Sequence, residues 1–184
     1  MQRFKRPPLV DARGFIVTGG EKMIYIGVIG ASTCSPEEAE TARQVGREIA
    51  RRGAVLICGG RGGVMEAAAR GAREAGGIAI GILPGNNRKE GNCYLHIAIA
   101  TGLGDARNAV IARTCDVLIA ISGGYGTLSE IGLGLKMGKP VVGLNTWQLF
   151  KEDKCIEDII IAHSPQEAVE KAITAVGKLN QGME

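Results

Sequence analysis

A chain of 184 residues is long enough to bury a core without disulfides or metals, and short enough to form one domain. Its 22 basic and 19 acidic residues are interspersed and leave a net charge of +3, which gives no support to a cationic track for nucleic acid. No apolar run approaches the roughly 20 residues of a membrane span, and the basic start Met1–Pro8 is not followed by the apolar core of a signal peptide.

Taken in chain order, residues 1–22 carry two prolines, a Gly-Gly pair and mixed charge without a sustained period, and read as a flexible, peripheral N-terminal extension. The domain, residues 23–184, opens with an apolar run, Ile24–Gly30, that predicts a buried strand with the exit loop Ala31–Cys34. Ser35-Pro36-Glu37-Glu38 is a capping box with proline at the first helical position, and predicts a helix to about Arg52. Strand Ala54–Cys58, glycine loop Gly59–Gly63, helix Val64–Ala75 and strand Ile78–Leu83 follow. Pro84–Asn87 reads as a turn, and Ile97–Thr101 as a weaker strand. Ala106–Thr114 has helical spacing, Val117–Ile121 is a strand, Ser122–Gly126 a second glycine loop, Thr127–Met137 a helix and Pro140–Leu144 a strand. Glu157–Ala162 is the last strand, and the capping box Ser164-Pro165-Gln166-Glu167 opens a C-terminal helix.

Strands that are continuously apolar, alternating with helices, imply an α/β Rossmann-like fold: a doubly wound, mainly parallel sheet of six or seven strands with helices on both faces. The apolar content of 45%, with only 4% aromatic residues and 28 glycines, fits such a core of Val, Ile, Leu and Ala with close backbone approaches. Five cysteines without a C-x-x-C pair point to a reducing, cytoplasmic setting. The isolated His96 and His163 give no metal site.

The two glycine loops match each other without gaps. Gly59-Gly60-Arg61-Gly62-Gly63-Val64-Met65-Glu66 aligns on Gly123-Gly124-Tyr125-Gly126-Thr127-Leu128-Ser129-Glu130, each after a strand and before a helix that carries a glutamate in its opening turn. Glycines let a ligand approach the backbone, and free N–H groups at a helix start attract an anion, so phosphate is the expected guest. On this reading Gly59, Gly60, Gly62, Gly63, Gly123, Gly124, Tyr125, Gly126 and Thr127 bind phosphate or nucleotide. Neither loop is followed by Gly-Lys-Ser/Thr, and neither has the G-x-G-x-x-G spacing, which disfavours triphosphate hydrolysis and dinucleotide redox chemistry.

The segment Ser122–Glu130 resembles the P-G-G-x-G-T-x-x-E signature of the lysine-decarboxylase-like LOG family of phosphoribohydrolases. Thr101-Gly102-Leu103-Gly104-Asp105-Ala106-Arg107-Asn108, Cys58–Met65 and Ile82-Leu83-Pro84-Gly85 resemble the molybdenum cofactor carrier branch more closely, and the similarity runs from about Ile24 to Leu144. The resemblance implies that Arg107 and Glu130 stand where the phosphoribohydrolases have their catalytic arginine and glutamate. Asn108 replaces the lysine that follows the arginine, and Ser122 replaces the motif proline. Two activities stay open. One is hydrolysis of a nucleoside 5′-monophosphate to free base and ribose 5-phosphate; the other is non-catalytic binding or carriage of molybdenum cofactor, a phosphorylated pterin. Neither requires a resident cofactor, and the resemblance implies a homodimer or larger assembly.

Overall fold

The structure, a computed structural model, describes residues 23–181; the N-terminal extension read at residues 1–22 lies outside them. In chain order the elements are β1 (Tyr25–Gly30), α1 (Pro36–Arg51), β2 (Val55–Cys58), α2 (Val64–Glu74), β3 (Ala79–Leu83), β4 (Ile97–Ala100), α3 (Arg107–Thr114) and β5 (Val117–Ile121). They continue with α4 (Tyr125–Lys136), β6 (Val141–Leu144), β7 (Leu149–Lys151), β8 (Lys154–Ile156), β9 (Ile159–Ala162) and α5 (Pro165–Gln181). Seven strands form one sheet in the order β4-β3-β2-β1-β5-β6-β9, every pair parallel. The fold is the expected Rossmann-like α/β architecture.

Successive side chains of a strand point to opposite faces, and β1 feeds two cores in that way. Ile26 and Val28 pack with α1, α2 and α5 through Val45, Ala68 and Val169; Ile29 packs on the other face with Ile111 of α3 and Ile131 of α4. Burying a side chain of this size contributes about 1.5–3 kcal/mol. α1 and α2 cross closely because Gly46 faces the Ala68 carbonyl and Gly71 faces the Arg43 carbonyl, and a Cβ on either would overlap the partner backbone.

The sheet grows outward from β1 in both directions, to β2, β3 and β4 on one side and to β5, β6 and β9 on the other. The crevice beyond the carboxyl ends of β1 and β5 is therefore the topological switch point where ligands of such sheets bind.

Three local features depart from the reading of the sequence. β7 and β8 form a short antiparallel hairpin where no strand was expected, turning on Glu152 and Asp153 at φ of 50° and 61°. Strands of three residues give too short a pattern, and this turn lacks the glycine that usually marks its kind. The second capping box closes one residue early: Ser164 caps the Glu167 N–H, but the Glu167 carboxylate takes the N–H of His163. Finally, α4 starts at Tyr125, two residues ahead of the expected Thr127, and α3 starts at Arg107 after a 3-10 turn at Gly104–Ala106.

Candidate anion-binding site at the switch point

The early start of α4 changes the place of Glu130. It sits in the second turn, not the opening turn, so its environment is set by packing and not by proximity to the helix end. The side chain is 6% exposed. Burial pushes its carboxyl up to about 7, and the charge of Arg107 acts against that rise. Glu66 of the first loop does lie in the opening turn of α2.

Arg107 and Glu130 line the same cavity of about 340 Å³, together with Gly30, Ser32, Asp105 and Thr127. Arg107 is itself about half-buried, and that burial lowers its affinity for the proton, while Glu130 and Asp105 favour its charge. Its Nε is buried without a hydrogen-bond partner. Its guanidinium rests where a Cβ on Gly59 would be, so that glycine makes room for the arginine.

The two glycine loops differ in what surrounds them. Around the first, a side chain at Gly63 would overlap the Ala31 and Ser32 backbone, one at Gly60 would meet Leu83, and one at Gly62 would come 3.2 Å from the Ser32 carbonyl. The Val64 N–H at the start of α2 donates to the Ala31 carbonyl at 3.0 Å. Around the second loop, a methyl group on Gly124 or Gly126 would have nothing within 4 Å, and both glycines line the cavity. The first backbone bond there runs from the Leu128 N–H to the Gly124 carbonyl at 3.0 Å. The N–H groups of Tyr125, Gly126 and Thr127 thus have no acceptor in the helix.

The second loop is held from behind. Ser122 adopts φ of 50°, a left-handed conformation closed to the proline of the family signature, whose ring holds φ near −65°. Its carbonyl accepts from the Thr146 hydroxyl at 2.6 Å, and the proximity of its hydroxyl, with the Ser35 cap, holds the Glu38 carboxyl below its usual range. Trp147 donates from Nε1 to the Gly124 carbonyl at 3.3 Å and packs its ring 5.8 Å from that of Tyr125. Tyr125 is 84% exposed and does not line the cavity, so its side chain is no part of the site. Asn108 is buried and donates to the Ser129 hydroxyl at 2.9 Å, and that hydroxyl donates to the Gly126 carbonyl at 2.7 Å.

The structure therefore brings Arg107, Glu130, Gly124, Gly126 and Thr127 around one cavity, while Gly123 packs against the Thr127 side chain and Gly59, Gly60, Gly62 and Gly63 stand behind or beside the cavity. The sequence reading missed Ser32 and Asp105 as lining residues and Thr146, Trp147 and Ser129 as supports of the loop. The exit loop of a central strand and the residues flanking Arg107 are the signals that point to the first two. His96 proves structural, its Nδ1 accepting from the Ala79 N–H at 3.2 Å. Asp116 accepts from the Tyr25 N–H at 2.9 Å and ties β5 to the start of β1. Among the described residues there is no cluster of metal-ligating side chains, and no helix long and apolar enough to cross a membrane.

The model of the SLOG cluster4 family matches residues 23–169. The chain belongs to that family. Among solved structures, the SLOG cluster4 chain is similar to the molybdenum cofactor binding protein of the phototrophic bacterium Rippkaea orientalis, with 39% identity and a TM-score of 0.76 over 84% of this chain and 98% of that one. The Moco carrier protein of Chlamydomonas reinhardtii shows 34% identity and a TM-score of 0.75 over 85% of this chain and 99% of the carrier. The cytokinin riboside 5′-monophosphate phosphoribohydrolase LOG of Oryza sativa is 30% identical over 112 residues, which are 59% of this chain and 45% of the enzyme. This SLOG cluster4 protein thus stands in the LOG-like superfamily on its molybdenum cofactor carrier-like branch, with the phosphoribohydrolases as more distant relatives.

Proposed function

We propose that this protein holds a small phosphorylated ligand against the start of α4 and serves as a non-catalytic carrier, with molybdenum cofactor, the group for which its structural neighbours are named, as cargo. The observation that carries this reading is the open helix start: unencumbered Gly124 and Gly126, with the free N–H groups of Tyr125, Gly126 and Thr127, beside the half-buried Arg107. An anion seated there would raise the Glu130 carboxyl further, so near neutral pH that side chain acts as a neutral hydrogen-bond donor to the anion.

Asn108 supports carriage over hydrolysis. At the position where phosphoribohydrolases have a lysine, it brings no charge, and its Nδ2 donates to the Ser129 hydroxyl. A cytoplasmic setting and a homodimer or larger assembly belong to the same reading. The free cysteines support the former.

One observation favours hydrolysis of a nucleoside monophosphate: a carboxyl near 7 can give a proton to a departing base or, ionised, stabilise an oxocarbenium-like centre, with Arg107 beside it. Native mass spectrometry of the protein purified from cells, together with a base-release assay over purine and pyrimidine monophosphates, separates the two. Carriage predicts a co-purifying phosphorylated pterin and no free base. Base release that disappears in Glu130→Gln, with phosphate binding retained, would instead establish the hydrolase.

A further inference from the structure

The first glycine loop contributes little backbone to the cavity but presents one side chain to it, Arg61. Its backbone is pinned. The Asn92 side-chain amide donates to the Gly60 carbonyl at 3.2 Å and to the Arg61 carbonyl at 3.0 Å, and the Asn92 N–H donates to the Gly60 carbonyl at 2.9 Å. The side chain itself is half exposed and meets Glu90 at 3.4 Å, at the long end of a charge-assisted bond. An exposed pair of this kind contributes little. Arg61 also lies close enough to Arg107 to oppose its charge. Two like charges thus face one cavity, one of them loosely held.

Strand order sets the span between them. β2 and β5 are both direct neighbours of β1, so the ends of the two loops stand two strand spacings apart, roughly 10 Å, and the arginine arm shortens that distance. The backbone of the first loop is less open than that of the second, because the Val64 N–H is taken and the Ala31 and Ser32 carbonyls crowd Gly62 and Gly63.

We propose that Arg61 is a second anion grip that leaves Glu90 for the far end of the ligand, so that the site selects small molecules with a phosphate at one end and a second anionic group at the other. This rests on the phosphate anchor at α4 proposed above. A monophosphate fills the anchor alone and leaves Arg61 on Glu90. A ligand with two separated anionic groups engages both.

Calorimetric titration of the full-length protein with AMP and with adenosine 3′,5′-bisphosphate tests the proposal. Wild type should bind the bisphosphate about tenfold more tightly than AMP, the gain expected of one further charge-assisted contact. Arg61→Gln should remove that preference and leave AMP affinity within about twofold, and Glu90→Gln, which frees the arm, should widen the preference about twofold. Equal affinity of wild type for both ligands would overturn the proposal while leaving the anchor intact. An Arg61→Gln loss that is equal for both ligands would also overturn it, since Arg61 would then act only as diffuse charge. Failure of wild type to bind AMP at all would remove the anchor itself and the second grip with it.

Discussion

Two loops that align residue for residue in the sequence do different work in the fold. The glycines after β2 are small because protein lies against them: Gly59 under the Arg107 guanidinium, Gly63 against the Ala31 and Ser32 backbone. After β5, Gly123 is pressed against the Thr127 side chain at φ of 99°, but Gly124 and Gly126 are small with no protein in the way, since the space beside them is open and belongs to the cavity. A glycine-rich strand-to-helix loop is thus compatible with either packing or ligand access, and the atoms a side chain would meet decide between them.

The sharpest way to break this contrast is to add the same methyl group to each loop. Gly63→Ala has to overlap backbone at φ of 63° and should cost about 2–4 kcal/mol of stability, read as a large fall in Tm. Gly124→Ala, at φ of −100° with nothing near, should melt within about 0.5 kcal/mol of wild type yet bind AMP about tenfold more weakly or worse. If both variants lost stability alike, the second loop would be a packing loop too.

A second prediction concerns the acid that the contrast isolates. Below about pH 4.5 the Glu130 carboxyl is protonated in the folded and the unfolded chain alike; as pH rises to 7 the unfolded chain ionises freely and the buried group resists. Its raised value therefore contributes relative stability that is full below about 4.5 and lost by the time the pH passes 7. Glu130→Gln should remove this fall, leaving the variant about 1–3 kcal/mol more stable than wild type at pH 8 and little changed at pH 4.5. Denaturant unfolding at the two pH values checks it, and a Gln variant less stable at pH 8 would mean that the carboxylate is held by a partner.

Gly59→Ala should fall between the loop variants. It displaces the Arg107 and Met65 side chains and not backbone, so stability should drop by about 1 kcal/mol while AMP affinity drops severalfold, because the charge moves away from the cavity. The smallest effect belongs to Ser129→Ala, which removes the hydroxyl between Asn108 and the Gly126 carbonyl and should cost about 1 kcal/mol or less. Melting curves with and without AMP report both, and a loss of affinity in Ser129→Ala larger than in Gly59→Ala would reverse the ranking.

Much of the fold was legible because Ile26, Val28, Leu56, Ile57, Leu118 and Ile119 lie in continuous apolar runs, and helix starts such as Ser35 carry their caps beside them. Strand order follows from no local pattern, and neither does the fact that Arg61 and Arg107 line one cavity. Glu130 was legible as a site residue from the motif, but its environment was not. It depends on α4 beginning at Tyr125, a boundary that an exposed tyrosine between two glycines does not announce. The difference between Gly63 and Gly124 is likewise a matter of neighbours distant in sequence, Ala31 and Ser32 for the one and open space for the other.

The position of the anion decides between the two loops, and amide chemical shifts of the 15N-labelled protein during titration with AMP read that position directly. Saturable shifts concentrated at Gly124, Tyr125, Gly126 and Thr127, with the amides of Gly59, Gly60, Gly62 and Gly63 little moved, are the expected result. The largest shifts at Gly59–Gly63, with Gly124–Thr127 unmoved, would contradict it.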